Sequence, residues 1–96
     1  MPTPESKVKD KVKKTLAKMK AYYAMPQTGG YGNSGVPDFL VCFRGTFIGI
    51  ECKANGNKPT ALQMHHLMCI RRAGGKGFVI DESNVDDLEQ ILEEEC

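Results

Sequence analysis

The sequence predicts a small α/β domain with the element order α-β-β-β-α-β-α. Three observations carry that prediction. A lysine-rich opening segment repeats apolar residues at helical spacing. Two β-branched and aromatic runs, "DFLVCF" and "TFIGIECK", are joined by Arg44 and Gly45, the pattern of an antiparallel hairpin. A second helical segment, opened by Thr60 and stopped by glycines, is followed by the apolar run "FVI". At 96 residues the chain is expected to be one domain, residues 1–96, built around a single modest core.

The first helix is expected over "TPESKVKDKVKKTLAKMKAYYA", residues 3–24. Thr3 can serve as N-cap, and Pro4 takes the first helical position, where its missing N–H is harmless. Val8, Val12, Leu16, Met19 and Tyr23 then form one apolar stripe, and lysines 7, 9, 11, 13, 14, 18 and 20 cover the rest. "AMPQ" reads as a short edge strand. "TGGYGNSG", residues 28–35, reads as a glycine-rich loop, flexible just ahead of Asp38. In the second hairpin strand a period of two puts Gly49, Glu51 and Lys53 on one face and Ile48, Ile50 and Cys52 on the other. After the turn-rich "ANGNKP", Thr60 caps a helix running to about Arg72, with Gln63 at the capping-box position and "GGKG" as its stop. "FVI" is a buried strand. "SNVDDLEQILEEE" is a capped helix with Val85, Leu88, Ile91 and Leu92 on one side.

Charge is distributed unevenly. Residues 1–80 hold all thirteen bases against four acids, a net of +9, whereas residues 81–96 hold the other eight acids and no base, a net of −8. Acids are rare enough in the body to suggest a polyanionic partner, with an acidic tail pointing away from it. Lys7, Lys11, Lys14 and Lys18 on the first helix, with Lys58 and Lys76 further on, are the candidates for contacts to such a polyanion. No run approaches the roughly 20 apolar residues of a membrane span, and "MPTPESKVKDKVKK" lacks the apolar middle of a signal peptide. Cysteines 42, 52, 69 and 96 show no Cys-x-x-Cys pairing, and three lie in apolar periodic segments, where a thiol behaves as a small hydrophobe. A cytoplasmic, reducing compartment is expected, with no membrane partner and no organic cofactor.

Asp38 opens one strand of the hairpin, and Glu51 and Lys53 close the other. A carboxylate near a buried sheet is costly unless it is paired or metal-bound. Two carboxylates converging from adjacent strands repel each other, and a divalent cation removes the repulsion. Oxygen donors without His or Cys at ligand spacing select a hard ion, Mg²⁺ or Mn²⁺. Asp38 and Glu51 are the candidate side-chain ligands. Cys52, pointing inward, offers only its backbone carbonyl. Such an ion can activate a water for in-line attack on a phosphodiester, with Lys53 orienting the water or offsetting charge on the phosphate. Spacing alone leaves a second reading open, in which Glu51 and Lys53 are an ordinary surface ion pair at a strand end.

"PD" at 37–38 followed by "ECK" at 51–53 resembles the PD-(D/E)xK nuclease signature. "GVPDFLV", the short hairpin, "IECK", the Thr-x-x-Gln helix and "GGKGFVI" together resemble the virus-type replication-repair nuclease (VRR-NUC) module from about Gly35 to Ile80. Each motif is short, and their order is what is specific. The resemblance implies a restriction-endonuclease-like core, a mixed sheet flanked by helices, in a chain of viral or bacterial source. It implies metal-dependent DNA cleavage with Asp38, Glu51 and the Cys52 carbonyl as ligands and Lys53 as the catalytic lysine. Gln63 matches the family's glutamine after the Glu-x-Lys strand, where it can hold Lys53 or a phosphate, while its capping box with Thr60 is an equal alternative. Glu5 matches in type an additional acidic ligand on the first helix, and a helix-dipole acid is the alternative there. Stand-alone modules of this kind resemble Holliday-junction resolvases, which implies a homodimer cutting branched, four-way DNA. The runner-up readings are a monomeric flap or nicking nuclease and a DNA-binding module without chemistry.

Other chemistries fit less well. Cys42, Cys52, His66 and Cys69 lack the paired spacing of a structural zinc site, and Cys42 and Cys52 are expected at core-facing strand positions. No Ser-His-Asp order and no phosphate-cradling P-loop is present. A binding module held through its lysines leaves Asp38 and Glu51 unexplained, because acids on a phosphate-binding surface weaken binding.

Overall fold

Helix α1 (Pro4–Lys18) begins where Thr3 caps it, its hydroxyl oxygen accepting the Ser6 N–H at 3.1 Å. In this computed structural model, which describes residues 3–27 and 35–96, α1 is followed by β1 (Tyr22–Ala24), β2 (Phe39–Phe43), β3 (Thr46–Cys52), α2 (Ala61–Arg72), β4 (Lys76–Ile80), a 3₁₀ turn (Val85–Asp87) and α3 (Leu88–Glu95). Most of the glycine-rich segment 28–35 lies outside the described residues. The four strands form one sheet in the order β1-β2-β3-β4. The first three are antiparallel neighbours, and β4 runs parallel to β3 after the α2 crossover. The predicted class and element order are therefore observed.

Alternation along the sheet decides what each face covers. Phe39 stands opposite Ile50 and Val41 opposite Ile48. These residues, with Phe43 and Cys52, point to the face covered by Val8, Val12 and Leu16 of α1 and by Val85, Leu88 and Leu92, all of them buried. On the opposite face α2 lies directly against the strands. A Cβ added at Gly49 would come within 2.5 Å of the Ile70 side-chain tip, and one at Gly77 within 3.2 Å of the Leu67 backbone, so glycine at both positions lets the helix sit this close.

The first helix is shorter than expected. α1 ends at Lys18, with Lys20 in the left-handed region at φ 59°. The Lys20 N–H donates to the Ala17 carbonyl and the Ala21 N–H to that of Leu16, the paired bonds of a Schellman stop. Tyr23 consequently belongs to β1, not to the helical stripe, and packs edge-on to Phe39 at 5.6 Å. The edge strand is Tyr22–Ala24 in place of "AMPQ", because Pro26 has no N–H to give to a ladder. The hairpin turn is Arg44–Gly45 as expected, with φ of 52° and 79°.

Three further expectations are corrected. The last helix opens through a 3₁₀ turn without a side-chain cap, because Asn84 is turned back to accept the Asp81 N–H and donate to the Val79 carbonyl. Cys42 is exposed, since Phe39, Val41 and Phe43 take the inward positions of β2. The acidic C-terminal segment lies beside the lysine helix, so part of the basic surface expected to face a polyanion is paired within the chain. α1 and α3 share one face of the sheet, so their polar rims meet: Lys11 pairs with Asp86 at 3.4 Å, Lys18 with Glu89 at 2.8 Å, and Arg44 with Glu93 at 2.9 Å. Among the described residues no helix is long and apolar enough to cross a membrane.

Candidate active site

The site forms because β3 is longer than β2. The last pair of their ladder is Phe39 with Ile50, so Cys52 extends past the start of β2, with Pro37 in the position opposite. The Asp38 side chain takes the place of the missing strand, its Oδ2 accepting the Cys52 N–H at 2.8 Å. On the other side of β3 the Lys53 N–H donates to the Ile80 carbonyl of β4 at 2.9 Å. N–H and C=O of one strand residue leave on the same side, so the Cys52 carbonyl also points toward the Asp38 side. Upstream, Gly35 has φ 90° and its backbone lies against Leu62 so closely that a Cβ would stand 2.8 Å away. That contact fixes the start of α2 beside the segment leading to Asp38.

Glu51 is 3% exposed, the sole charged residue among the buried ones described. Its carboxyl lies close enough to Asp38 for the two charges to act on each other, and 3.9 Å from the Lys53 ammonium. Burial first, and the Asp38 charge second, push the Glu51 pKa up to about 8 against the opposing pull of Lys53. Burial, followed by Asp38, also holds the Cys52 thiol well above its ordinary value, so this sulfur is a neutral thiol and not a thiolate donor.

The structure brings together Asp38, Glu51, Cys52 and Lys53, and adds Lys9. The Lys9 ammonium stands 3.5 Å from Asp38 Oδ1 and 3.4 Å from Glu5 Oε2, which links Glu5 to the cluster. Burial alone would lower the Lys9 pKa, but Asp38 and Glu5 outweigh it and raise the value above that of a free lysine. Only half of this was readable in the chain: Glu5 and Lys9 stand at i,i+4, a favourable helical pair, whereas nothing local announces the contact with Asp38. Gln63 is engaged as a cap, its carboxamide oxygen accepting the Thr60 N–H at 2.8 Å while the Gln63 backbone N–H donates to the Thr60 hydroxyl oxygen.

Among the described residues no three Asp, Glu, His or Cys side chains are gathered as a ready ligand cage. The donor chemistry nonetheless suits a hard divalent ion. Two converging carboxylates and a nearby backbone carbonyl match the one or two carboxylates that Mg²⁺ takes when water and phosphate complete its shell. The charge that burial and Asp38 penalise on Glu51 is the charge such an ion would compensate.

The basic candidates divide into two groups. Lys7, Lys14, Lys58 and Lys76 make no ion pair among the described residues, whereas Lys11 and Lys18 face Asp86 and Glu89. A cleft of about 430 Å³ between α1 and α3 is lined by Lys11, Lys14 and Lys18 but also by those two acids, so its positive charge is largely cancelled.

No family model matches the sequence. "Putative nuclease p44" of Acyrthosiphon pisum secondary endosymbiont phage 1 is 40% identical over 62 residues, 64% of this chain and 63% of the phage protein, so the match spans less than two thirds of that relative. A solved structure described as a VRR_NUC domain superposes with a TM-score of 0.77 at 27% identity, covering 92% of this chain and 96% of that one. Shared architecture over nearly the whole of both chains, together with the nuclease name of the phage relative, supports a VRR-NUC module in this chain.

Proposed function

We propose that this single-domain chain is a divalent-metal-dependent DNA endonuclease that acts as a homodimer on four-way junctions. The observation that carries the chemistry is the convergence of Glu51 with Asp38 at the end of β3, beside Lys53. Asp38, Glu51 and the Cys52 carbonyl would hold Mg²⁺ or Mn²⁺, with Glu5 as a further ligand. The ion would supply positive charge to a reacting phosphate and acidity to a bound water. Lys53, its stem 13% exposed and its ammonium beside Glu51, donates to the attacking water or to a phosphate oxygen. Gln63 keeps its carboxamide NH₂ available for a phosphate oxygen while its C=O serves the cap. Lys7, Lys14, Lys58 and Lys76 bind flanking phosphates, with Lys11 and Lys18 joining only as their acidic partners let go. The phage relative's name supports the nuclease reading, and the compartment that fits is a reducing cytoplasm.

Two-fold symmetry is the support for a junction substrate, because a dimer presents two identical sites in opposed orientation. One surface suits that contact. α2 buries only Leu67 fully, leaving Leu62 46% and Met68 43% exposed. Light scattering together with cleavage of flap, Y, duplex and four-way DNA at equal concentration tests the proposal. A dimer that cuts the junction best by paired incisions is expected. A monomer at micromolar concentration that prefers a flap would replace it with the flap nuclease.

A further inference from the structure

Two ammonium groups stand among the acids of this strand end: Lys53 beside Glu51, and Lys9 between Asp38 and Glu5. The two lysines are placed differently. Lys53 directly follows the buried end of β3 and its N–H is bonded to the Ile80 carbonyl of β4, so its position follows the sheet. Lys9 sits on the surface of α1, 29% exposed, on a flexible four-carbon stem, and bridges Glu5 on its own helix to Asp38 on the sheet. A side-chain rotation can open its contact with Asp38. Glu5, four residues earlier on the same helix, stays within reach of the ammonium after such a rotation because i,i+4 side chains are neighbours.

We propose that Lys9 is a built-in counter-ion of the acidic cluster, which balances Asp38 while the site is free of metal and yields its place to a divalent cation. It thereby sets the affinity of the site for metal. The inference rests on the metal-dependent reading above and adds a positioning residue to it. Lys9 acts on the reaction through Asp38: the carboxylate is held by the Cys52 N–H on one oxygen and by Lys9 on the other, so it is already aimed before an ion arrives. An ammonium and a metal ion cannot both take Oδ1 at close range, so binding is an exchange of cations. The exchanged ammonium remains tethered to Glu5 at the edge of the site.

Calorimetric titration of the DNA-free protein with Mn²⁺ tests this, comparing wild type with Lys9→Met, Lys9→Arg and Asp38→Asn, with melting curves in EDTA as the check of folding. Lys9→Met opens no core cavity because the side chain lies at the surface. It is expected to bind Mn²⁺ about three- to tenfold more tightly than wild type, the fold-change of losing one or two partly exposed ion pairs as competitors. In EDTA it should melt lower, because the carboxylates have lost a counter-charge. Lys9→Arg should bind like wild type, and Asp38→Asn should lose the titration, which locates the bound ion. A purely structural Lys9 would lower stability without tightening metal binding. Equal or weaker affinity in Lys9→Met overturns the inference and leaves the metal reading standing. No Mn²⁺ binding by either form overturns both.

Discussion

Replacing Glu51 with glutamine should make the metal-free protein more stable at pH 8. The folded protein holds the Glu51 proton up to about pH 8, whereas a free glutamate releases it near 4.5. Between those values the unfolded chain binds fewer protons than the folded one, so stability falls as pH rises through the window. Each step of one in pKa corresponds to about 1.4 kcal/mol, and the whole interval gives on the order of 4 kcal/mol at pH 8, of which relaxation around the charge recovers part. Glutamine has nearly the same shape, keeps a donor toward Asp38 and never ionises. In EDTA at pH 8 the Glu51→Gln protein should therefore exceed wild type by about 2–4 kcal/mol, which for a domain this size raises the melting temperature by about 8 °C or more. At pH 5 the difference should shrink to under about 1 kcal/mol. Mg²⁺ should raise the wild-type melting temperature at pH 8 and leave Glu51→Gln nearly unchanged. Thermal melts at pH 5, 6, 7 and 8, with EDTA or Mg²⁺, read all of this. A wild-type stability that does not fall with pH, or a Glu51→Gln protein less stable than wild type at pH 8, would refute the argument.

Other consequences can be measured separately. Lys58→Ala or Lys7→Ala should reduce the slope of log affinity against log salt for duplex DNA by about 0.9 each, while Lys18→Ala should change it less, because Glu89 already occupies that ammonium. The Asp86→Asn/Glu89→Gln double variant should tighten nonspecific binding by freeing Lys11 and Lys18; an unchanged filter-binding curve would place DNA away from α1. Leu16→Ala, at a fully buried position between α1 and the sheet, should cost about 2–5 kcal/mol in urea unfolding. Lys53→Met should leave the melting temperature within a few degrees of wild type and remove cleavage.

What the sequence made legible was whatever a local signal encodes. Gly74, with φ 99°, stops α2 where glycine was expected to stop it. Lys20 stops α1 by the same backbone bonds, but a lysine carries no such signal, and the apolar spacing of Met19 and Tyr23 extended the helix on paper. Alternation placed Glu51 and Lys53 on one face and Cys52 on the other, and the 3.9 Å approach of the first two follows from it. The contacts that were hidden join distant segments. Lys9 meets Asp38 across 29 positions, and Lys11 meets Asp86 across 75. A net charge of −8 on the last sixteen residues was visible, but where it lies depended on α3 packing beside α1 on the same side of the sheet. Asn84 shows the same limit at short range, since a residue suited to capping a helix was taken instead by the strand before it.

The central claim is that Glu51, beside Asp38 and Lys53, supports metal-dependent cleavage, and Glu51→Gln isolates it because the substitution is expected to stabilise the metal-free fold. The most direct measurement is the conversion of supercoiled plasmid to nicked or linear DNA by wild type and Glu51→Gln, each with Mg²⁺ or EDTA at pH 8. Cleavage by wild type with Mg²⁺, and none by wild type in EDTA or by Glu51→Gln in either condition, is predicted. Cleavage that persists in EDTA, or a Glu51→Gln protein that cuts as fast as wild type, would contradict the account.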